Sequence, residues 1–290
     1  MAEPPGRQSP PVPPPSEYRR YRALPLRAEI RRQLRRRRTQ GIGWMVLVLP
    51  LLLVAAFALG SDDPGTGPRG FVDLAQESGA NLTVFTLFAS TNFLLVVVVA
   101  LFAGDAVPSE ASWSSLRYLL AAPVPRGRLL RQKLTVAALS SVVTLVLLPA
   151  WTLVVGGFAY GWGPYVGPTG EQLAWPQLAG RFVVVIAYLA VELTVVGAVA
   201  FLLGVFTDAP LAAVGGAVLL MILCTILDSI TALGRLRRGL PGHYDVAWSE
   251  ALSPAIDWSD MANGALWSLG YAVVAIWVAV WHFLRKDITS

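Results

Sequence analysis

Long apolar runs separated by short polar segments set the pattern of this chain. Thr39 to Ser61, Ser78 to Gly104, Leu134 to Gly170 and Met261 to Leu284 contain no Asp, Glu, Lys or Arg. A helix that crosses a bilayer needs about 20 largely apolar residues, so each run has room for one. The stretch from Phe182 to Leu227 would reach roughly twice the hydrocarbon thickness at about 1.5 Å per residue. It must fold back, and Thr207-Asp208-Ala209-Pro210 supplies the break, a charge followed by a proline suited to a first helical turn. The pattern predicts an all-α integral membrane protein with six transmembrane helices, near 42–60, 82–103, 134–158, 182–206, 210–229 and 264–284. Pro50 and Pro149 fall inside the first and third spans, where a missing N–H can kink a helix.

Composition agrees, since 55% of residues are apolar and only 14% charged, which is too greasy for a soluble globule. The placement of charge then predicts orientation. With both ends cytoplasmic, 18 of the 23 Lys and Arg residues lie on the cytoplasmic side, as the positive-inside rule requires. Arg235, Arg237 and Arg238, in a loop of about 30 residues after the fifth span, are the discordant cluster, and long loops obey the rule poorly. The expectation is a multi-pass protein of the cell membrane with cytoplasmic N- and C-termini.

The segment before the first span divides in two. Residues 1–16 hold seven prolines and almost nothing to bury, which predicts a disordered tail, and no apolar core follows Met1 as a signal peptide would need. Residues 17–41 contain LPLRAEIRRQLRRRRTQ, which predicts a basic helix with Leu26, Ile30 and Leu34 as a narrow apolar stripe. Such a helix lies along a membrane surface, with Arg27, Arg31, Arg35 and Arg38 reaching anionic lipids at about 1 kcal/mol each. The same arginines also serve orientation alone, and the two roles are compatible. The basic charge therefore points to lipid and not to nucleic acid, for no recognition fold accompanies it.

Between the second and third spans lies GDAVPSEASWSSLRYLLAAPVPRGRLLRQK, from Gly104 to Lys133. Ser109 can cap a helix that ends on the approach to Pro123 and Pro125, with Trp113, Leu116 and Leu120 on one face. From these residues alone the segment reads first as an interfacial helix anchored by Trp113 and second as a docking surface for another protein.

The loop, with acidic Asp105 and Glu110 ahead of SSLRYLLAAPVPRGRLLRQK, resembles that between spans two and three of ABC-2 type permeases. AEIRRQLRRRRT before the first span, VFTDAPLAAVGGAV at the turn into the fifth and HFLRKDITS at the C-terminus resemble the same family. The similarity runs from about Tyr18 to Ser290, each motif being moderately specific by itself. It implies the membrane subunit of an ABC exporter, built from two six-span chains, identical or paralogous, and two cytosolic P-loop ATPase subunits. ATP and Mg would sit on those subunits, with no cofactor bound by this chain. It further implies that residues 17–41 form a connecting helix and that Ser109 to Ala122 form a coupling helix docked on the ATPase. The contact would fall on Trp113, Leu116, Arg117 and Leu120, with Glu110 and Arg126 as polar neighbours.

The sequence offers no enzyme of its own. A P-loop needs glycines and a Lys followed by Ser or Thr, and Lys133 and Lys286 precede Leu and Asp. The Gly-rich GWGPYVGPTG has no Lys and reads as a turn, flanked by Trp162 and Trp175 as interface anchors. His243, His282 and the single Cys224 have no metal-ligand spacing, and Cys224 has no intrachain disulfide partner. No catalytic residue and no metal site is expected.

Ionisable groups at membrane depth are costly and usually have a partner or a role. Glu192, ten residues into the fourth span, is the leading candidate, either for binding a cation or relaying a proton or for stitching helices together. Asn92 in the second span and Asp228 near the end of the fifth are weaker candidates. A proton-coupled carrier using Glu192, or a membrane scaffold or sensor, are therefore the alternatives to an exporter subunit. The small residues of VGGAV, Val214 to Val218, would let a neighbouring helix approach. Thr231 to Ala262 is too long for a tight turn, and Trp248, Leu252 and Trp258 predict short helices on or in the membrane surface.

Overall fold

The computed structural model describes residues 26–60, 70–106, 108, 126–207 and 209–285. Six of its helices are long and apolar enough to cross a membrane: Arg37–Gly60, Gly79–Gly104, Leu130–Tyr160, Trp175–Thr207, Pro210–Ser229 and Ser259–Arg285. They are called spans 1 to 6. The architecture is an all-α bundle, and a short antiparallel hairpin between spans 3 and 4 pairs β1 (Tyr165–Val166) with β2 (Gln172–Leu173). An even number of crossings puts the start of span 1 and the end of span 6 at one face, here the basic face. The opposite one is the distal face.

Span 5 has the expected bounds and span 1 the expected end, while the other ends run one to seven residues further, because a helix continues through the head-group layer after its apolar core stops. Span 3 belongs to a 35-residue helix, Arg126–Tyr160, that projects beyond the basic face. The basic helix is shorter than expected. Helix α1 covers Leu26–Leu34, the chain bends at Arg35 and Arg36, and residues from Arg37 onward already belong to span 1. Residues 1–25 and the expected coupling element lie outside the described residues.

Span 2 is the centre of the bundle, with Leu82, Leu87, Leu95 and Val98 almost wholly buried between spans 3, 4 and 5. Two spans are irregular. Span 2 loosens into a π turn at Thr91–Leu95, and span 4 is offset at Leu193 between Trp175–Glu192 and Thr194–Thr207. Pro50, inside span 1, removes a ladder N–H. One turn earlier the Leu47 carbonyl accepts a hydrogen bond from Trp151 Nε1 of span 3 at 2.9 Å. That bond fixes the two helices side by side.

Two helices approach backbone to backbone at the distal end of spans 2 and 3. A Cβ on Gly79 would lie 2.5 Å from the Gly157 backbone nitrogen, and one on Gly156 would lie 2.8 Å from Gly79 Cα. VGGAV plays a smaller part than expected, because Gly215 faces open space and Gly216 meets only the Leu203 side chain.

The distal segment between spans 5 and 6 forms two short 3₁₀ pieces, Thr231–Gly239 and Ala247–Leu252. The second dips into the bundle. Trp248 is fully buried against Phe88, with ring centroids 4.4 Å apart, although Phe88 lies nine residues inside span 2. Trp258 stays half exposed at the surface.

Candidate functional site

Two polar constellations stand out from the apolar bundle, one at each end. At the basic face the first is built from α1 and the ends of spans 2 and 3. Glu29 of α1 is buried and pairs with Lys133 at 2.7 Å, both side chains being about 8% exposed. Asp105, one residue past span 2, accepts from Arg36 at 2.9 Å and from Arg38 at 2.8 Å. Burial raises the Asp105 carboxyl above its usual range, while Arg38 and Arg36 pull it the other way. The Glu29 pair joins α1 to span 3, and the Asp105 pairs join the bend after α1 and the start of span 1 to span 2, so both helix ends that flank the 109–125 segment are tied in.

Among the described side chains of α1 the buried one is Glu29, while Leu34 of the expected stripe is 62% exposed and Ile30 half-buried; the Leu26 side chain lies outside the described residues. Arg31 and Arg35 are exposed, as contact with lipid head groups requires. Arg38 is exposed too but is held by Asp105. The side chains of Arg27 and Arg126 lie outside the described residues, as do Glu110, Trp113, Leu116, Arg117 and Leu120. Glu29 and Lys133 were not singled out from sequence, and the signal was one of position: a lone acid within a basic helix, and a lysine where a span begins.

The second constellation sits where the distal segment meets the irregular turns of spans 2 and 4. Glu192 ends the first half of span 4 and is 5% exposed, and its Oε2 has no hydrogen-bond partner among the described residues. Ser90 Oγ, beside the π turn, and Trp248 Nε1 are likewise buried without partners. One turn before Glu192, Tyr188 donates to the Tyr244 carbonyl at 2.6 Å. Gly264 of span 6 leaves room for this contact, since a Cβ there would lie 2.7 Å from Tyr244 Cβ.

Asp245 joins the two candidates that the sequence suggested. Its charge is the one that acts on Glu192, and the Asn92 side chain lies close enough to favour its carboxylate. Burial raises the Asp245 carboxyl above its ordinary value; a backbone hydrogen bond from Val246 opposes this and the charge of Asp228 adds to it. Asn92 itself, on the π turn, is exposed at the bundle surface. Asp245 and Tyr188 were missed because a loop acid and a tyrosine in a span carry no periodic signal.

Asp228 belongs elsewhere. Its carboxylate meets His243 Nδ1 at 2.5 Å and Arg237 Nε at 3.4 Å, tying the end of span 5 to the distal segment. This gives Arg237, one of the discordant distal arginines, a local partner.

A cavity of about 290 Å³ opens nearby at the distal face, lined by Asn81, Phe88, Tyr165, Glu171 and Ser249 among others. Asn81 holds the hairpin beside it, donating to the Val166 carbonyl at 2.7 Å and accepting from the Val166 N–H at 2.9 Å. Among the described residues no group of three or more His, Cys, Asp or Glu gathers to hold a metal ion.

Six long apolar helices, a basic face and polar groups at two helix irregularities define an all-α multi-pass membrane protein. Residues 51–289 match a family described as a protein of unknown function, DUF2705, and the chain belongs to that family. No curated protein matches the chain.

Proposed function

We propose that this chain is the membrane-spanning permease subunit of an ATP-driven exporter, working with a separate cytosolic P-loop ATPase and a second permease copy or paralogue. The observation that carries the reading is the ion-pair block at the basic face. Asp105 holds Arg36 and Arg38 at 2.8–2.9 Å, and Glu29 holds Lys133 at 2.7 Å. A push on the 109–125 segment would therefore move α1, the start of span 1 and the ends of spans 2 and 3 together. The resemblance of that segment to an ABC-2 coupling element names a separate ATPase as the source of the push, and residues 1–290 hold no P-loop of their own.

On this reading the basic face is cytoplasmic, in keeping with the sequence count that assigns 18 of the 23 Lys and Arg residues to the cytoplasmic side. The chain does no hydrolysis itself. It converts ATPase closure into a shift of span 2, whose π turn can change register where a regular helix would resist. The distal segment packs on that turn through Trp248 and Asp245, and so would open or close the far end of the pathway.

The test is ATP-dependent cargo movement in vesicles containing the chain and its ATPase. Leu116→Asp and Arg117→Glu are expected to leave insertion intact and to abolish transport together with cargo-stimulated ATP hydrolysis. Unchanged stimulated hydrolysis in both variants would sink the proposal.

A second reading has its own observation. Glu192, buried with an unpartnered oxygen, fits a proton- or cation-coupled carrier. That reading expects transport driven by an ion gradient without ATP.

A further inference from the structure

The membrane-facing wall of the bundle is recessed between spans 2, 3, 4 and 6. The hollow is about 280 Å³ and is lined by Ala103, Leu134, Ala138, Leu145, Gly197 and Ile276. Ser141 and Thr194 also border it, but their hydroxyls donate to Ala137 and Val191 of their own helices. The recess therefore offers hydrocarbon contact and no hydrogen-bonding specificity. Its length along span 3, from Leu134 to Leu145, is about 16 Å at the helical rise, close to the depth of one leaflet of a hydrocarbon core roughly 30 Å thick.

The helical face that lines the recess continues past Leu134 onto the basic face. Arg131 follows three residues before Leu134, at the edge of the same face, and Arg128 lies one turn further out and about 60° further round the helix. Both are exposed, and neither has an ion-pair partner among the described residues. Lys133 differs, being turned inward onto Glu29. An apolar slot one leaflet deep, with Arg131 at the edge of its mouth and the long side chain of Arg128 one turn beyond, is complementary to a molecule with one long hydrocarbon chain and an anionic head.

We propose that this recess holds an acyl chain of an anionic phospholipid from the leaflet at the basic face, with Arg131 and Arg128 on its phosphate. At that depth the surrounding solvent is lipid, and a hollow among close-packed helices is filled by it. Long arginine side chains can bury their stems along the chain while their heads reach the phosphate. The site does not depend on the transport reading, since it would serve a channel or scaffold equally.

The test is native mass spectrometry of the full-length chain in a neutral detergent, titrated with dioleoyl phosphatidylglycerol or dioleoyl phosphatidylcholine. The wild type should retain one phosphatidylglycerol, in preference to phosphatidylcholine by about fivefold for each arginine. Ala138→Phe, filling the slot, should lose the bound lipid, while Val143→Phe, on an exposed part of the same helix, should keep it. Arg128→Gln with Arg131→Gln should retain a lipid but erase the preference. Equal retention by wild type and Ala138→Phe, equal loss in Ala138→Phe and Val143→Phe, or an undiminished preference in the arginine variant would each overturn the proposal.

Discussion

Lys133→Met is the perturbation whose cost can be worked out most directly from the structure. It removes the ammonium 2.7 Å from Glu29 and leaves that carboxylate buried, with the more exposed Arg32 at 3.9 Å as its other ion-pair partner among the described residues. Breaking a buried pair by deleting one partner costs about 3–5 kcal/mol. Arg32 compensates in part, which places Lys133→Met near the lower end, about 3 kcal/mol. Replacing both partners, as Glu29→Leu with Lys133→Met, leaves no orphaned charge and should cost less than about 1 kcal/mol. The double-mutant cycle should thus show a coupling of about 2 kcal/mol or more. Thermal unfolding in mild detergent measures it, Lys133→Met lowering Tm by roughly 6–12 °C at about 2–4 °C per kcal/mol. Trypsin cleavage after Arg31, Arg32, Arg35 and Arg36 should quicken in parallel as α1 loosens. Additive effects, or a double variant no more stable than Lys133→Met, would refute the idea that the pair fixes α1 to span 3.

Gly79→Ala should destabilise the protein by about 1–3 kcal/mol through overpacking against the Gly156–Gly157 backbone, whereas Gly215→Ala should be neutral; both read out as Tm. Glu192→Leu should raise Tm, because an apolar side chain of similar size removes a buried polar oxygen that has no partner among the described residues; a lower Tm would reveal that the carboxyl group makes a stabilising contact. Asp245 titrates above its ordinary 3.8 when folded, so the stability it contributes is present in acid and is lost as pH rises through its folded pKa. Asp245→Asn should therefore be more stable than wild type at pH 7, with the gap closing towards pH 4, as followed by Tm across that range.

The span pattern was legible because the bilayer imposes one crude requirement, about 20 apolar residues, that single residues cannot disguise. Asp208 and Pro210 marked the turn between spans 4 and 5 for the same reason. The irregularities were not legible: nothing in TNFLL distinguishes a π turn from an α-helix, and the offset at Leu193 follows from packing. Asn92 and Glu192 could be chosen as costly polar groups, but their meeting through Asp245 depends on a distal segment folding back into the bundle. The roles at the basic face were hidden by abundance. Among so many arginines, sequence could not say that Arg36 and Arg38 share Asp105 while Arg31 and Arg35 face outward. Gly79 and Gly156 looked like ordinary glycines because their partner is another helix, far away in the chain.

Chemical cross-linking in native membranes, followed by affinity purification of the tagged chain and peptide mass spectrometry, tests the central claim most directly. The account predicts a P-loop ATPase in near-stoichiometric yield, cross-linked within residues 109–125 and lost on Leu116→Asp. Recovery of the chain with no P-loop protein, or an ATPase retained unchanged by Leu116→Asp, would contradict it.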